Sequence, residues 1–474
     1  MRCLTSDYNQ NVALMNDILH VDRNFDVLNK KLKFADGEIT LYYIDGFVKD
    51  SVMQKLMIYF LSIKDFPPDA KSFMEQNLPY VETDMTENTD SMVQMVMSGA
   101  TLILGSTFGT SALIVDTRTY PARETQEPEG DRVMRGARDG FVETLIFNTA
   151  LIRRRIRNPS LAMEYLTIGE DSRTDVVLCY MADRADRKYV ERLRNKLSSI
   201  KTGALTVGHE SLAECLIKTR WYNPFPKIRT TERPDAASAQ LMEGSVLILV
   251  DNSPQVMVLP STIFDFVQES NDFYFPPLTG SYIRLVRYVV FFLTLIITPL
   301  WYLMLQYPDF VPGWLRFALP QTTGELPILF QLLLVEFIID ALRLASLNTP
   351  DMLNNSLSVV GGLILGDFAV SIGWLIPEVI LYMAFVAIAN FTQRSYELGY
   401  AVKFLRIMML ILTAAFRIWG FVAGFLLSII LVATNTTLNG KHSYLYPLIP
   451  FNGKALMTLI FRLRKRDVKN QKTS

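Results

Sequence analysis

Leu285–Tyr307 reads LVRYVVFFLTLIITPLWYLMLQY, an apolar run with one charge, Arg287, near its start. About 20 apolar residues suffice to cross the hydrocarbon core of a bilayer, so the run is read as a transmembrane helix. Leu326–Leu347, Ile376–Phe391 and the long Val402–Thr434 repeat the pattern. Together they make an integral membrane domain, from which everything before Leu285 is expected to hang.

Composition agrees with that division. Half of the 474 residues are hydrophobic, yet 20% are charged, which suits a soluble half joined to a membrane half. The 47 Lys and Arg balance the 47 Asp and Glu, so net charge argues neither for nor against nucleic acid. Cys3, Cys179 and Cys215 are scattered without a CxxC and read as buried thiols in a reducing compartment. None of the three histidines shares a motif with a cysteine, so no structural metal site and no cofactor are expected. The first 20 residues lack the apolar core and small-residue cleavage site of a signal peptide, which places the N-terminal portion in the cytosol.

Before the membrane block, strand-like and helix-like segments alternate, and the fold class read from them is α/β. Residues 1–85 form a first subdomain, with a strand at Glu38–Phe47 and a helix at Ser51–Leu61. The acidic ETDMTENTD before Ser91 marks a linker or a subdomain boundary. Residues 86–280 form a second α/β subdomain. It contains a helix at Ser91–Ser98, a hairpin over Gly99–Asp116, a strand at Thr174–Tyr180 and a helix at Asp186–Ile200. A β-prone run at Ala204–Val207, helices at Glu210–Ile217 and Asp235–Met242, and the hairpin Ser245–Leu259 complete it. That last hairpin requires part of the sheet to be antiparallel. Gly105 and Gly109 lack a following GK[ST], so their loop reads as a plain turn.

Between the hairpin and the strand lies TYPARETQEPEGDRVMRGARDGFVETLIFNTALIRRRIRNP, residues 119–159. Asp139–Asn158 is read as a helix stopped by Pro159. Its Arg153, Arg154, Arg155 and Arg157 are candidates for contact with acidic lipid headgroups or a neighbouring subunit. A solvated helix end that complements the helix dipole is the competing reading. Nucleic-acid binding is not expected, because nothing nearby is basic or aromatic enough.

RDGFVETLIFNTALIRRRIRNPSLAMEYLTIG resembles the signature stretch of the GerA spore-germination family. SGATLILGSTFGTSALIVDTRTYPARETQEP, FQLLLVEFIIDALRLASLNTP, VVGGLILGDFAVSIGWLIPEVI and YLYPLIPFN follow the family's further motifs in order, covering most of the chain after residue 91. FVETLIFNTALIRRRIRNP and TDVVLCYMA look closer to a sporulation branch of the family than to its nutrient-receptor A subunits. The resemblance implies homo-oligomers that conduct monovalent cations across the spore inner membrane during germination. It implies as partners a transporter-like B-type subunit and a lipoprotein or, for the sporulation branch, a small membrane protein.

The membrane portion, residues 281–440, is read as an all-α polytopic domain of four to six segments. Residues 441–474 form an interface loop and a basic tail. Arg284 and Arg287 mark the cytosolic edge, and Pro299 is expected to kink the first span. The second span carries Glu336, Asp340 and Arg343, ionisable groups that are expensive at membrane depth. Glu336 and Asp340 are candidates for an ion path or subunit contact, with Asp340 and Arg343 spaced to pair. Ser356–Trp374 is rich in small residues and is either a packing segment or a pore and gate element. In the second case Val359, Leu363 and Val370 form the constriction and Asp367 faces water. The basic tail demands an even number of crossings, whereas the count is five. Either Ser356–Trp374 is re-entrant, or Val402–Thr434, with Arg417 in its middle, is more than one element.

No Walker loop, HExxH or GxSxG is present, so an enzyme is not expected. Two functions remain: an oligomeric ion-channel subunit of the spore inner membrane, or a non-conducting scaffold or signalling subunit of a germination receptor complex.

Overall fold

The structure, a computed structural model, describes residues 3–119, 136–217, 221–269, 272, 274–320, 324–348, 368–435, 438 and 443–461. The chain divides into two compact units. The first comprises residues 1–218, 228–261 and 438–440; the second comprises 219–227, 262–437 and 441–474.

Unit one holds two five-stranded sheets, and every described strand pair in them is antiparallel. The first sheet contains β1 (Val27–Lys33), β2 (Glu38–Ile44), β3 (Thr83–Thr86), β4 (Thr101–Gly105) and β5 (Ala112–Val115), in the order β1-β2-β4-β5-β3. Successive side chains of a strand point to opposite faces. Tyr42, Ile44, Leu102 and Leu104 therefore pack on one face, under α1 (Tyr8–Leu19) and α4 (Thr89–Met97). Ile39, Leu41 and Ile103 pack on the other, under α2 (Asp50–Leu61) and α3 (Ala70–Asn77). Both faces are covered, which is why β4 and β5 read as unbroken apolar runs.

The second sheet repeats this plan. Its strands are β6 (Leu161–Ile168), β7 (Thr174–Met181), β8 (Arg229–Thr231), β9 (Val246–Val250) and β10 (Val256–Leu259), in the order β6-β7-β9-β10-β8. Here α5 (Leu145–Arg155) and α8 (Pro234–Glu243) cover one face, against Val177, Cys179, Leu247 and Leu249. The other lies under α6 (Arg187–Ser198) and α7 (His209–Leu216), against Val176, Leu178, Ile248 and Val250. Each half runs α-β-β-α-α-β-α-β-β with the same strand order and the same pairing of helices to faces. Unit one is thus two copies of one arrangement.

The repeat moves the division expected at residue 85. The hairpin β4–β5 closes the first sheet, so the first copy ends after Val115. Part of the acidic stretch read as a linker is the edge strand β3, paired with β5. Ala204–Val207 forms no strand. The helix expected over Asp139–Asn158 is only Leu145–Arg155. Its missing first turns are held extended by buried Asn148, whose amide oxygen accepts from Val142 N at 2.8 Å and whose amide nitrogen donates to Val142 O at 2.5 Å. Asp251 Oδ1 then accepts from Leu145 N at 3.1 Å, as a cap supplied from another loop. Of the cysteines only Cys179 is buried, and burial pushes its thiol pKa up; Cys3 and Cys215 are exposed.

Unit two contains the short α9 (Ile263–Val267), opened by a Thr262–Asp265 capping box, and then longer apolar helices. These are α10 (Pro277–Gln306, with Pro299 inside), α11 (Ile328–Asn348), α12 (Pro377–Phe391) and α13 (Tyr396–Ala433), followed by α14 (Gly453–Ile460). By length and composition, α10 and α13 are the two described helices that suffice to cross a membrane. The four to six segments expected are therefore not established by length and composition. α13 is broken at exposed Arg417, whose φ of 55° and ψ of −131° are non-helical. Beyond the break the chain doubles back. A Cβ on Gly420 would lie 1.8 Å from the Leu412 carbonyl oxygen, and one on Gly424 would lie 2.8 Å from Met409 Cγ. Only glycine allows so close an approach. The last apolar run is thus two elements, as one alternative for the odd crossing count had it; the other concerns Ser356–Trp374, most of which lies outside the described residues.

Candidate functional site

The buried charges of unit two converge on one cluster. Glu336 and Asp340 lie four residues apart on α11 and share a face. Lys403 and Arg406 lie three apart on the first arm of α13. Lys403 Nζ is 3.2 Å from Glu336 Oε1 and also pairs with Asp340 Oδ2. Arg406 Nη2 donates to Glu336 Oε1 at 2.7 Å, and its Nη1 donates to the Thr294 carbonyl of α10 at 3.2 Å. The Thr294 hydroxyl itself donates back to Val290 O at 2.7 Å. Glu336, Lys403 and Arg406 are buried, whereas the Asp340 side chain is 31% exposed. Two acids and two bases cancel, which is what burial of charge among apolar helices requires.

Arg343 does not pair with Asp340 as its spacing suggested. Its guanidinium sits over three rings, 4.9 Å from the centre of Phe391, 5.7 Å from Tyr400 and 5.9 Å from Tyr396. A guanidinium over aromatic faces is a favourable arrangement where water is scarce. Asp340 is left to Lys403. Lys403 and Arg406 were missed from the sequence, although their spacing inside an apolar run complements Glu336 and Asp340.

Arg284 and Arg287, read as marking the cytosolic edge, are buried and compensated. Asp272, fully buried, accepts from Arg287 Nη1 at 2.8 Å and from Arg284 Nε at 3.3 Å, while Glu269 pairs with Arg287 at 2.6 Å. Of the gate candidates, Val370 lies half-buried in a short helical turn, Ala369–Ser371. Val359, Leu363 and Asp367 lie outside the described residues, as do the small-residue motif around them and the basic tail.

The arginine run of α5 is placed inside unit one. Arg153 is fully buried and makes a bidentate pair with Asp26, Nε to Oδ2 at 2.7 Å and Nη2 to Oδ1 at 2.8 Å; its Nη1 donates to Leu161 O at 3.1 Å. Asp26 opens β1 of the first copy and Leu161 opens β6 of the second, so Arg153 joins the copies and is not on a surface for lipid or another subunit. Around it, Phe25 N donates to Met163 O at 3.2 Å, and Met163 N to Asn24 Oδ1 at 3.0 Å. Arg155 pairs with Asp139 at 2.6 Å, and Arg157 Nη1 reaches Ser98 Oγ at 3.4 Å. Arg154 is exposed.

One trio in unit one has the residue types of a hydrolase. His209 Nδ1 lies 2.7 Å from Ser253 Oγ, and its Nε2 lies 3.3 Å from Glu210 Oε1. Ser253 is only 3% exposed and its hydroxyl is also bonded within its own turn, to Gln255. The trio fastens α7 to the β9–β10 turn and offers no nucleophile to a substrate. Among the described residues, no three His, Cys, Asp or Glu side chains gather as a metal ion would require.

A duplicated α/β unit followed by apolar helices around a buried, balanced charge cluster defines a membrane-associated class of protein. The family described as the Bacillus/Clostridium GerA spore germination protein matches residues 14–474, and the chain belongs to that family. It is 37% identical over 451 residues to stage V sporulation protein AF of Bacillus subtilis (strain 168), covering 94% of this chain and 90% of that one. Spore germination protein KA and spore germination protein A1 of the same organism are 26% and 27% identical, over 94% and 87% of this chain and 82% and 85% of theirs. A crystal structure of the N-terminal domain of the A subunit of the Bacillus megaterium spore germinant receptor GerK3 aligns with 54% of this chain and 96% of that domain, at 24% identity and a TM-score of 0.41.

Proposed function

We propose that this chain is a multi-pass subunit of the spore inner membrane that assembles with copies of itself around a path for monovalent cations and releases them during germination. The observation that carries the reading is the Glu336–Asp340–Lys403–Arg406 cluster. Three of its members are buried and Asp340 emerges from it, held on one side by Lys403. Charge at such depth is costly and needs a use. On this reading Asp340 meets the passing cation, Val359, Leu363 and Val370 form the apolar constriction, and Asp367 faces water. On this reading α13 crosses twice. Its arms, 396–416 and 418–433, are on the order of 32 and 24 Å long at 1.5 Å per residue. The partners are other germination membrane proteins: a B-type transporter-like subunit and a lipoprotein, or a small membrane protein, with the α/β unit in the cytosol.

A second reading is favoured by the exact balance of the cluster's charges. Two acids matched by two bases suit a non-conducting scaffold as well as a pore. Potassium leakage separates the two. The full chain is expressed in a vegetative bacterial membrane with and without its co-expressed partner. Leakage that rises with Val359→Ala or Leu363→Ala and changes with Asp340→Asn supports conduction. No leakage from any variant, with insertion and oligomer formation verified, leaves the scaffold.

A further inference from the structure

Residues 219–227 interrupt unit one in sequence but belong to unit two. The described part of this excursion begins Trp221-Tyr222-Asn223-Pro224-Phe225-Pro226, and its second half is firmly held. Phe225, 4% exposed, packs among Leu398, Ala401 and Leu405 of α13, Phe266, and Tyr444, with Tyr288 of α10 and Leu431 alongside. Asn223 Nδ2 donates to Leu431 O at 3.0 Å. Tyr444 Oη and Asn435 Nδ2 both donate to Pro226 O, at 2.8 and 3.4 Å.

These contacts fix where the segment lies. Leu398 is near the start of α13, Leu431 and Asn435 are at its end, and Tyr288 is in the first half of α10. The excursion therefore sits at the one end of the apolar helices where α10 enters and both arms of α13 terminate. From that seat Trp221 projects outward, 96% exposed, with Tyr222 at 49% and its ring centre 6.1 Å away. Tyr282, at 66%, and Tyr396, at 71%, are exposed in the first turns of α10 and α13. A tryptophan left so exposed on a pinned backbone is unfavourable in water. Aromatic rings with a polar edge are favoured at the boundary between headgroups and acyl chains.

We propose that Trp221 and Tyr222 form an anchor that dips from the excursion into the headgroup layer of the bilayer, in line with Tyr282 and Tyr396. The occupant of this aromatic edge is lipid. The anchor rests on the membrane reading above, and its test separates the two.

The full chain is reconstituted into phosphatidylcholine vesicles, and the emission of Trp221 is taken as the difference between wild type and Trp221→Phe. Phenylalanine at an exposed site leaves the fold intact, and the other tryptophans cancel in the difference. The difference emission is expected to be blue-shifted and to lose most of its intensity with lipid brominated near the headgroup end of its acyl chains. It should lose less with lipid brominated near the chain terminus, and little to aqueous iodide. Co-flotation with vesicles together with an unshifted, iodide-quenched difference emission overturns the anchor while the membrane reading stands. So does stronger quenching by the deep label. Failure to co-float overturns both.

Discussion

Replacing Arg153 by methionine tests the joint between the two copies of unit one. The guanidinium is fully buried, and methionine fills much of its volume while removing the charge and three donors. Asp26, with a side chain only 3% exposed, then keeps a carboxylate that has lost both of its bonds to the guanidinium. Breaking a buried pair from one side costs about 3–5 kcal/mol, because the remaining ion is neither solvated nor compensated. At about 1.4 kcal/mol per factor of ten, amide exchange in the joint should accelerate by roughly two to three orders of magnitude. The peptides to follow by mass spectrometry in the full detergent-solubilised chain are those holding Phe25 N and Met163 N, which bond across the joint. The double variant Asp26→Leu/Arg153→Met should recover much of the loss, since an apolar pair leaves no buried ion. Exchange within threefold of wild type in Arg153→Met would refute the reasoning.

Further outcomes follow from the same contacts. Gly420→Ala puts a methyl group 1.8 Å from the Leu412 carbonyl oxygen, so the doubled-back arms of α13 must part; cysteine pairs placed across the arms should lose their cross-linking, and retention of it would show the turn to be elsewhere. Lys403→Met strips Asp340 of its partner and Glu336 of one of two, and should lower the yield of folded protein from detergent several-fold, with Lys403→Met/Asp340→Leu recovering part; equal yields for wild type and single variant would count against the pairing. Glu164 is partly desolvated, which raises its pKa, but hydrogen bonds from Arg194 and Tyr180 outweigh that and hold it below the usual glutamate range. Its stabilisation is thus present above the ordinary glutamate pKa and lost as pH falls through the depressed one. The thermal midpoint of wild type should approach that of Glu164→Gln on acidification, and a constant gap at all pH values would contradict this.

The sequence carried the elements well where both faces of a strand are buried. β4, β5, β7, β9 and β10 are short apolar runs between turns, and each was legible. β1 was not, because VLNKKLK shows its core only through Val27 and Leu32; the intervening residues lie toward solvent at the sheet's edge. The edge strand β3, TDMT, has no buried residue to announce it and looked like a linker. β6 and β8 were not read as strands either, and these four misses hid the duplication, since the matching strand order appears only when all ten strands are in place. In the membrane portion the acids of α11 were legible as anomalies in an apolar run. Their partners were not, because pairing Asp340 with Lys403 rather than Arg343 depends on which helices pack together, and periodicity is silent on that.

The arginines show the limit from the other side. An RRRIR run and an Arg pair at the mouth of a span read naturally as surface charge. Yet Arg153, Arg233, Arg284, Arg287 and Arg406 are all buried. Arginine stays protonated, so each can be inside only where carboxylates and carbonyls are already aimed at its planar fork. Many of those acceptors come from elements far away along the chain: Asp26 for Arg153, Glu336 and Thr294 for Arg406, and Ala137 for Arg233, while Leu161 and Asp235 add nearer ones to Arg153 and Arg233. Such pairs add little net stability over an apolar replacement, but they penalise every other register by leaving an ion unpaired. In the first unit they set how one copy of the repeat meets the other. In the second they set how α11 and α13 meet α10, and a change there must either carry the whole charge set along or separate ions in an apolar surround.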